Sequence, residues 1–218
     1  MQRVDMRVLG IDLSGPANPG DTAAVLLRCV GREASIEVAV SGLGDYALMA
    51  WLDELGEPAP AFVGLDAPLS YQDGGGDRSG DHALRTRLIA LGCHPGSVMP
   101  PTLTRMVYLS LRGIAVARLF EQRYPDARIA EVHPGAALRF RGASPELLRA
   151  FKREAGARQD LLAVLAAAGL PQAQELVDAS DHLVAAAAAA LATLDWALQS
   201  PRWLWPAAAP WHPYDYIA

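Results

Sequence analysis

Three acidic residues stand where acids are costly. Asp12, Asp66 and Glu131 interrupt the short apolar runs Val8-Leu9-Gly10-Ile11-Asp12, Ala61-Phe62-Val63-Gly64-Leu65-Asp66 and Ile129-Ala130-Glu131-Val132. A proline follows each acid within four residues, as Pro16, Pro68 and Pro134. A carboxylate at the end of a buried strand is unfavourable unless a donor, a cation or water receives it. Carboxylates gathered within a few Å repel, so either one keeps a proton or a cation sits between them. Magnesium and manganese accept oxygen ligands and keep part of their water shell, so two or three acids suffice to hold one. Two such ions about 4 Å apart activate water and stabilise the leaving oxygen of a phosphodiester. A fourth acid is offered by Val177-Asp178-Ala179-Ser180-Asp181-His182-Leu183, where Asp178 and Asp181 lie three apart at the start of a helical pattern. The same two residues also suit a helix cap and a first turn. Glu131 has a structural alternative as well, an ion pair with an arginine such as Arg105 or Arg112.

The elements that must position these acids follow from the apolar periodicity. Residues 6–13, 22–30 and 35–40 read as three strands joined by short turns, an antiparallel meander. A helix over 45–55, with Leu48, Trp51, Leu52 and Leu55 on one stripe, crosses to a strand at 61–65. Helices over 81–91 and 102–124 precede the strand at 128–132, and helices over 134–140, 145–155, 159–168 and 179–199 fill the remainder. Right-handed crossovers place strand four beside strand one and strand five beside strand four, for the order 3-2-1-4-5 with strand two antiparallel. Asp12, Asp66 and Glu131 then meet on neighbouring strands about 4.8 Å apart, at the edge where open α/β sheets bind ligands.

Other residues could complete such a site. Arg78, Arg85 and Arg87 flank the glycine-rich loop after Asp66 and could grip a phosphate bidentately. Lys152, on the helix after strand five and the sole lysine, is a second candidate for a phosphate contact. His133 could act as base or ligand, or bond to backbone. His82, His94, His182 and His212 lack zinc spacing, and His182 points to a different helix face from Asp181. The tail at 201–218, with Trp203, Trp205 and Trp211, could stack bases but reads rather as a segment packed on the body, covering a sheet edge or meeting a second copy. Gly74-Gly75-Gly76 lacks the lysine of a phosphate-cradling loop.

Composition narrows the function classes. The 218 residues suit a single domain, with 51% hydrophobic and 20% charged residues. A net charge of −5 is the wrong sign for gripping nucleic acid over the whole surface. The alanine-rich run at 183–194 is too short and too closely bracketed by Asp181, His182 and Asp195 to span a membrane. A strand pattern near the start leaves no room for a signal peptide, so the cytoplasm is the expected location. Cys29 and Cys93 form no ligand or disulfide pattern.

Several segments taken in order resemble a known family: Gly10-Ile11-Asp12, Asp66-Ala67-Pro68-Leu69-Ser70, Arg78 with Leu84-Arg85, Glu131-Val132-His133-Pro134-Gly135, Lys152-Arg153 and Asp181-His182-Leu183. The family is an uncharacterised bacterial and archaeal one, described as predicted nucleases with a ribonuclease H-like fold. The resemblance spans nearly the whole chain. It implies an α/β domain with a ribonuclease H-like mixed five-stranded sheet, and a magnesium or manganese site on Asp12, Asp66, Glu131 and Asp181. Two positions depart from it. Members often carry a further acid in the turn after Asp181, where this chain has Val184 and Ala185. Ribonucleases H place a glutamate on the first helix, whereas Glu54 lies near that helix's far end. The expected activity is hydrolysis of nucleic acid or a small phosphodiester. The alternatives are a phosphotransferase related to the actin-like ATPases and a non-catalytic binding module on the same fold.

Overall fold

The computed structural model describes residues 5–31 and 33–218; Arg32, expected in the turn between the second and third strands, lies outside them. β1 (Asp5–Asp12), β2 (Ala23–Val30) and β3 (Glu33–Ser41) form the antiparallel meander. Helix α1 (Asp45–Glu54) then leads to β4 (Pro60–Asp66), which pairs in parallel with β1. After α2 (Ser79–Ala90) and α3 (Met106–Arg123), β5 (Arg128–Val132) pairs in parallel with β4. α4 (Pro134–Phe140), α5 (Pro145–Ala150), α6 (Ala155–Ala167) and α7 (Asp181–Ala197) follow.

The sheet does not stop at five strands. The tail contributes β6 (Leu204–Trp205) and β7 (Asp215–Ile217), and β7 joins the open edge of β5 in parallel. The order is therefore β3-β2-β1-β4-β5-β7-β6, a mixed seven-stranded sheet. An unpaired strand edge exposes backbone donors and acceptors, which explains why a tail rich in prolines still returns to strand form here.

Several element boundaries differ from the periodicity; α6, for one, begins at Ala155 rather than near residue 159. α3 begins at Met106 rather than near residue 102, because Thr104 adopts φ 42°, outside helical geometry. α5 ends at Ala150, so Lys152 and Arg153 lie in a turn rather than on a helix. None of the described helices is long and apolar enough to cross a membrane.

Both faces of the sheet are covered, and the alternation along β1 sorts its residues. Leu9 and Ile11 join Leu48, Leu65, Val116 and Phe120 on the face covered by α1 and α3. Val8 joins Leu161, Leu165 and the alanines of α7 on the other. Gly10, on the α7 side, allows a very close approach: a Cβ there would lie 2.1 Å from the Ala190 backbone nitrogen and 2.6 Å from the Ala186 carbonyl oxygen. Gly64 plays the same part on β4, where an added Cβ would fall 1.9 Å from Thr193 Oγ1. Alanine on the helix and glycine on the strand thus let α7 settle against the sheet at fixed register. Replacing Gly10 with alanine should destabilise the fold by about 1–3 kcal/mol, the usual cost of overpacking a tight core; urea unfolding measures it, and an unchanged midpoint would refute the contact.

Candidate active site

Asp12 and Asp66 are direct register partners at the ends of the adjacent parallel strands β1 and β4. Side chains alternate between the faces of a strand, so Asp12 shares the α7 side with Gly10, and Asp66 shares it with Gly64. The two carboxyls therefore sit side by side in one cleft. Burial, then the charge of Asp12 and the bond to it, push Asp66 well above the ordinary carboxylate range, with Lys152 pulling the other way. Asp66 therefore tends to keep a proton, as expected where like charges are crowded out of water.

His182 supplies the contact that spacing did not reveal. Its Nδ1 lies 2.6 Å from Asp12 Oδ2, and its Nε2 lies 4.0 Å from Asp181 Oδ1. The register of α7 explains this placement. Moving from Gly10 to Asp12 advances about 6.6 Å along a strand, and moving one turn from Ala186 to His182 retreats about 6 Å along a helix. The contact at Gly10 therefore carries His182 to the level of Asp12. That match was a usable signal only once α7 was known to lie along β1. The hydrogen bond to Asp12 raises the His182 pKa above its ordinary value, against the opposing effect of burial.

Asp181 is the first residue of α7, whose cap is Ser180, with Ser180 Oγ accepting from the Leu183 amide at 3.1 Å. Asp178 adopts a left-handed φ of 58° and is not the cap. Asp12, Asp66, Asp181, His182 and Lys152 line one cleft of about 540 Å³ at the carboxyl ends of β1 and β4. Lys152 is exposed on its wall and makes no ion pair among the described residues.

Glu131 reaches the same cleft but is committed elsewhere. It pairs in register with Leu65, not Asp66, so the pleat sends it toward the side that Leu65 occupies. There Glu131 Oε2 accepts from the Leu69 amide at 2.8 Å and from Arg78 Nη1 at 2.7 Å, while Oε1 accepts from Arg78 Nη2 at 2.5 Å. Its arginine partner is thus Arg78, not Arg105 or Arg112. Burial raises the Glu131 pKa, partly offset by Arg78 and the Leu69 amide. Three hydrogen bonds thus tie this carboxylate to Leu69 and Arg78.

Arg78 is correspondingly unavailable to a phosphate. It is 6% exposed and also donates to Asp81 Oδ1 at 2.7 Å, Asp81 Oδ2 at 2.9 Å and Ser70 Oγ at 3.0 Å. Asp81 Oδ2 in turn accepts from the Arg78 amide at 2.9 Å, satisfying one of the free backbone donors at the start of α2. Arg85 is held by Asp77 and by the Val98 carbonyl, at 2.8 Å from its Nη2. His133 Nδ1 accepts from the Ala136 amide at 3.1 Å, and its Nε2 donates to the Ser97 carbonyl at 2.8 Å. That bonding is the neutral tautomer, and burial lowers the His133 pKa. Both ring nitrogens are spent on backbone, so His133 caps α4 and is not free to be a base. Of the four expected substrate contacts, Lys152 alone has a side chain without a partner among the described residues.

Arg112 braces the opposite rim. Buried on α3, it donates from Nη1 to the Ser14 carbonyl at 2.7 Å and to Thr22 Oγ1 at 2.7 Å. These bonds fix the loop that follows Asp12.

A sequence model of one family, described as "Protein of unknown function (DUF429)", matches residues 10–207. No curated protein and no solved structure matches the chain.

Proposed function

Because the chain belongs to the DUF429 family, whose description names no activity, we propose its function from the cleft: a ribonuclease H-like domain that hydrolyses a phosphodiester with one magnesium or manganese ion. The carrying observation is the Asp12–Asp66 pair, two carboxyls on directly paired strand ends in one cleft, where burial and Asp12 raise the pKa of Asp66. That is the donor set a divalent cation relieves, by replacing the proton between them. Among the described residues, no three His, Cys, Asp or Glu side chains gather closely enough to enclose an ion. The pair therefore suits an open site with one or two carboxylates, of the kind magnesium completes with water and substrate oxygens. It does not suit a closed four-acid centre with Glu131 as a ligand. When bound, the ion would supply Lewis-acid stabilisation of the phosphoryl oxygens and a more acidic water.

The remaining roles fall to this chain's own groups. Asp12 and Asp66 would hold the ion at the sheet edge. Lys152, an exposed ammonium on the cleft wall, would receive a phosphate oxygen as a point charge. Asp181 would accept a hydrogen bond from the attacking water. Glu131 and Arg78 would hold the backbone at Leu69 and Ser70, and so fix the loop leaving Asp66. The negative net charge favours a small or single-stranded phosphodiester over a long duplex held by its backbone.

Manganese titration by calorimetry, with wild type beside Asp12→Asn, tests the ion. Wild type should bind one equivalent and the variant none. Hydrolysis of bis(p-nitrophenyl) phosphate and of single-stranded, duplex and hybrid oligonucleotides tests the reaction. Equal manganese binding by both proteins would sink the site, and ATP turnover in place of diester cleavage would favour phosphotransfer.

A further inference from the structure

We propose that His182 is a positioning residue for Asp12, its Nδ1–H fixing the Asp12 carboxylate in the orientation that receives the divalent ion. The inference rests on the metal-dependent reading and adds the residue that makes Asp12 a preformed ligand. A carboxylate at a strand end rotates about two side-chain bonds, and an ion site gains affinity when such rotation is already restricted. The 2.6 Å contact between His182 Nδ1 and Asp12 Oδ2 supplies that restriction, because a carboxylate oxygen only accepts and the imidazole nitrogen must donate.

The imidazole is itself held in place. Gly10 seats α7 on β1 at Ala186 and Ala190, one and two turns beyond His182. Ser180 caps the helix two residues before it. His182 is also half-buried, with its other nitrogen turned toward Asp181. One side chain thus ties the end of β1, which carries Asp12, to the start of α7, which carries Asp181. Hydrogen-bonding partners outside the ligand shell commonly orient metal ligands in this way, and their loss weakens binding by about 10–100-fold.

Three variants separate positioning from mere packing. Asparagine places an amide donor near the position of Nδ1, glutamine places it near Nε2, and alanine removes it. Calorimetric manganese affinity should fall about 10–100-fold in His182→Ala and His182→Gln, and return to within several-fold of wild type in His182→Asn. A second readout needs no metal: the Asp12 side-chain carbon resonance should report one rotamer in wild type and His182→Asn, and averaging in His182→Ala. Equal manganese affinity in all four proteins would overturn the positioning role while leaving the metal site standing. An Asp12 side chain that averages in wild type would overturn it as well. Absence of manganese binding by wild type, with the rotamer pattern as expected, would remove the metal reading but keep His182 as the group that orients Asp12.

Discussion

Replacing Arg78 with methionine destabilises the domain by about 3–5 kcal/mol, the loss typical of stripping one partner from a buried ion pair. Among the described residues Arg78 is the only cation bonded to Glu131 and Asp81, and both of those carboxylates are almost fully buried. Methionine keeps most of the side-chain volume and the packing on the Tyr216 ring, which the guanidinium now faces at 5.3 Å. The expected loss therefore reports charge rather than a cavity. It also carries a pH signature. Glu131 already titrates above its ordinary value because of burial, with Arg78 among the groups restraining the rise. Without Arg78 its folded-state pKa climbs further, and a carboxyl whose folded pKa exceeds its unfolded one loses stability as pH rises. Urea unfolding should show a modest loss near pH 4 that deepens toward pH 8. Adding Glu131→Gln should recover part of the loss at neutral pH. A single variant within 1 kcal/mol of wild type at pH 8 would contradict this account of the network.

Asp66→Asn has effects of opposite sign on stability and activity. In wild type, folding places Asp66 beside Asp12 in a site that disfavours its charge, so the carboxyl takes up a proton that the unfolded chain has lost at neutral pH. The sign follows from linkage. The folded protein holds this proton more tightly than the unfolded chain, so stability is fully present below the unfolded pKa of about 4 and is lost as pH rises through the higher folded value. Asparagine removes the charge and keeps the shape. The variant should gain about 0.5–2 kcal/mol at pH 8, in the range of substitutions that relieve functional strain, and the gain should shrink toward zero near pH 4. Thermal unfolding in chelator across pH 4–8 measures it. Manganese binding and diester cleavage should both be lost. A gain independent of pH would show that repulsion at Asp12 is not its source.

Both predictions concern carboxylates picked out in the sequence, yet their fates diverge. Asp12, Asp66 and Glu131 were equally legible as acids ending or interrupting apolar runs. The neighbours of the first five strands were legible too, since short turns force antiparallel pairing and helical crossovers force parallel pairing. The two further strands were not. β6 has two residues and β7 three, too few to show alternation, and each exists because a neighbouring edge offers partners.

What the sequence by itself determined is the local chemistry: which strands end in acids, which edge those ends share, and that the crowding of Asp12 with Asp66 needs a proton or a cation. Only the tertiary structure decided which acids face one another. The pairing of Leu65 with Glu131, across more than sixty residues, depends on where distant elements lock together, and one step of register moves a side chain to the other face of a sheet. The same long-range packing, through Gly10 against Ala186 and Ala190, brought His182 to Asp12. Periodicity reports which face of its own element a residue occupies. Register between elements is set by close contacts that no local pattern encodes.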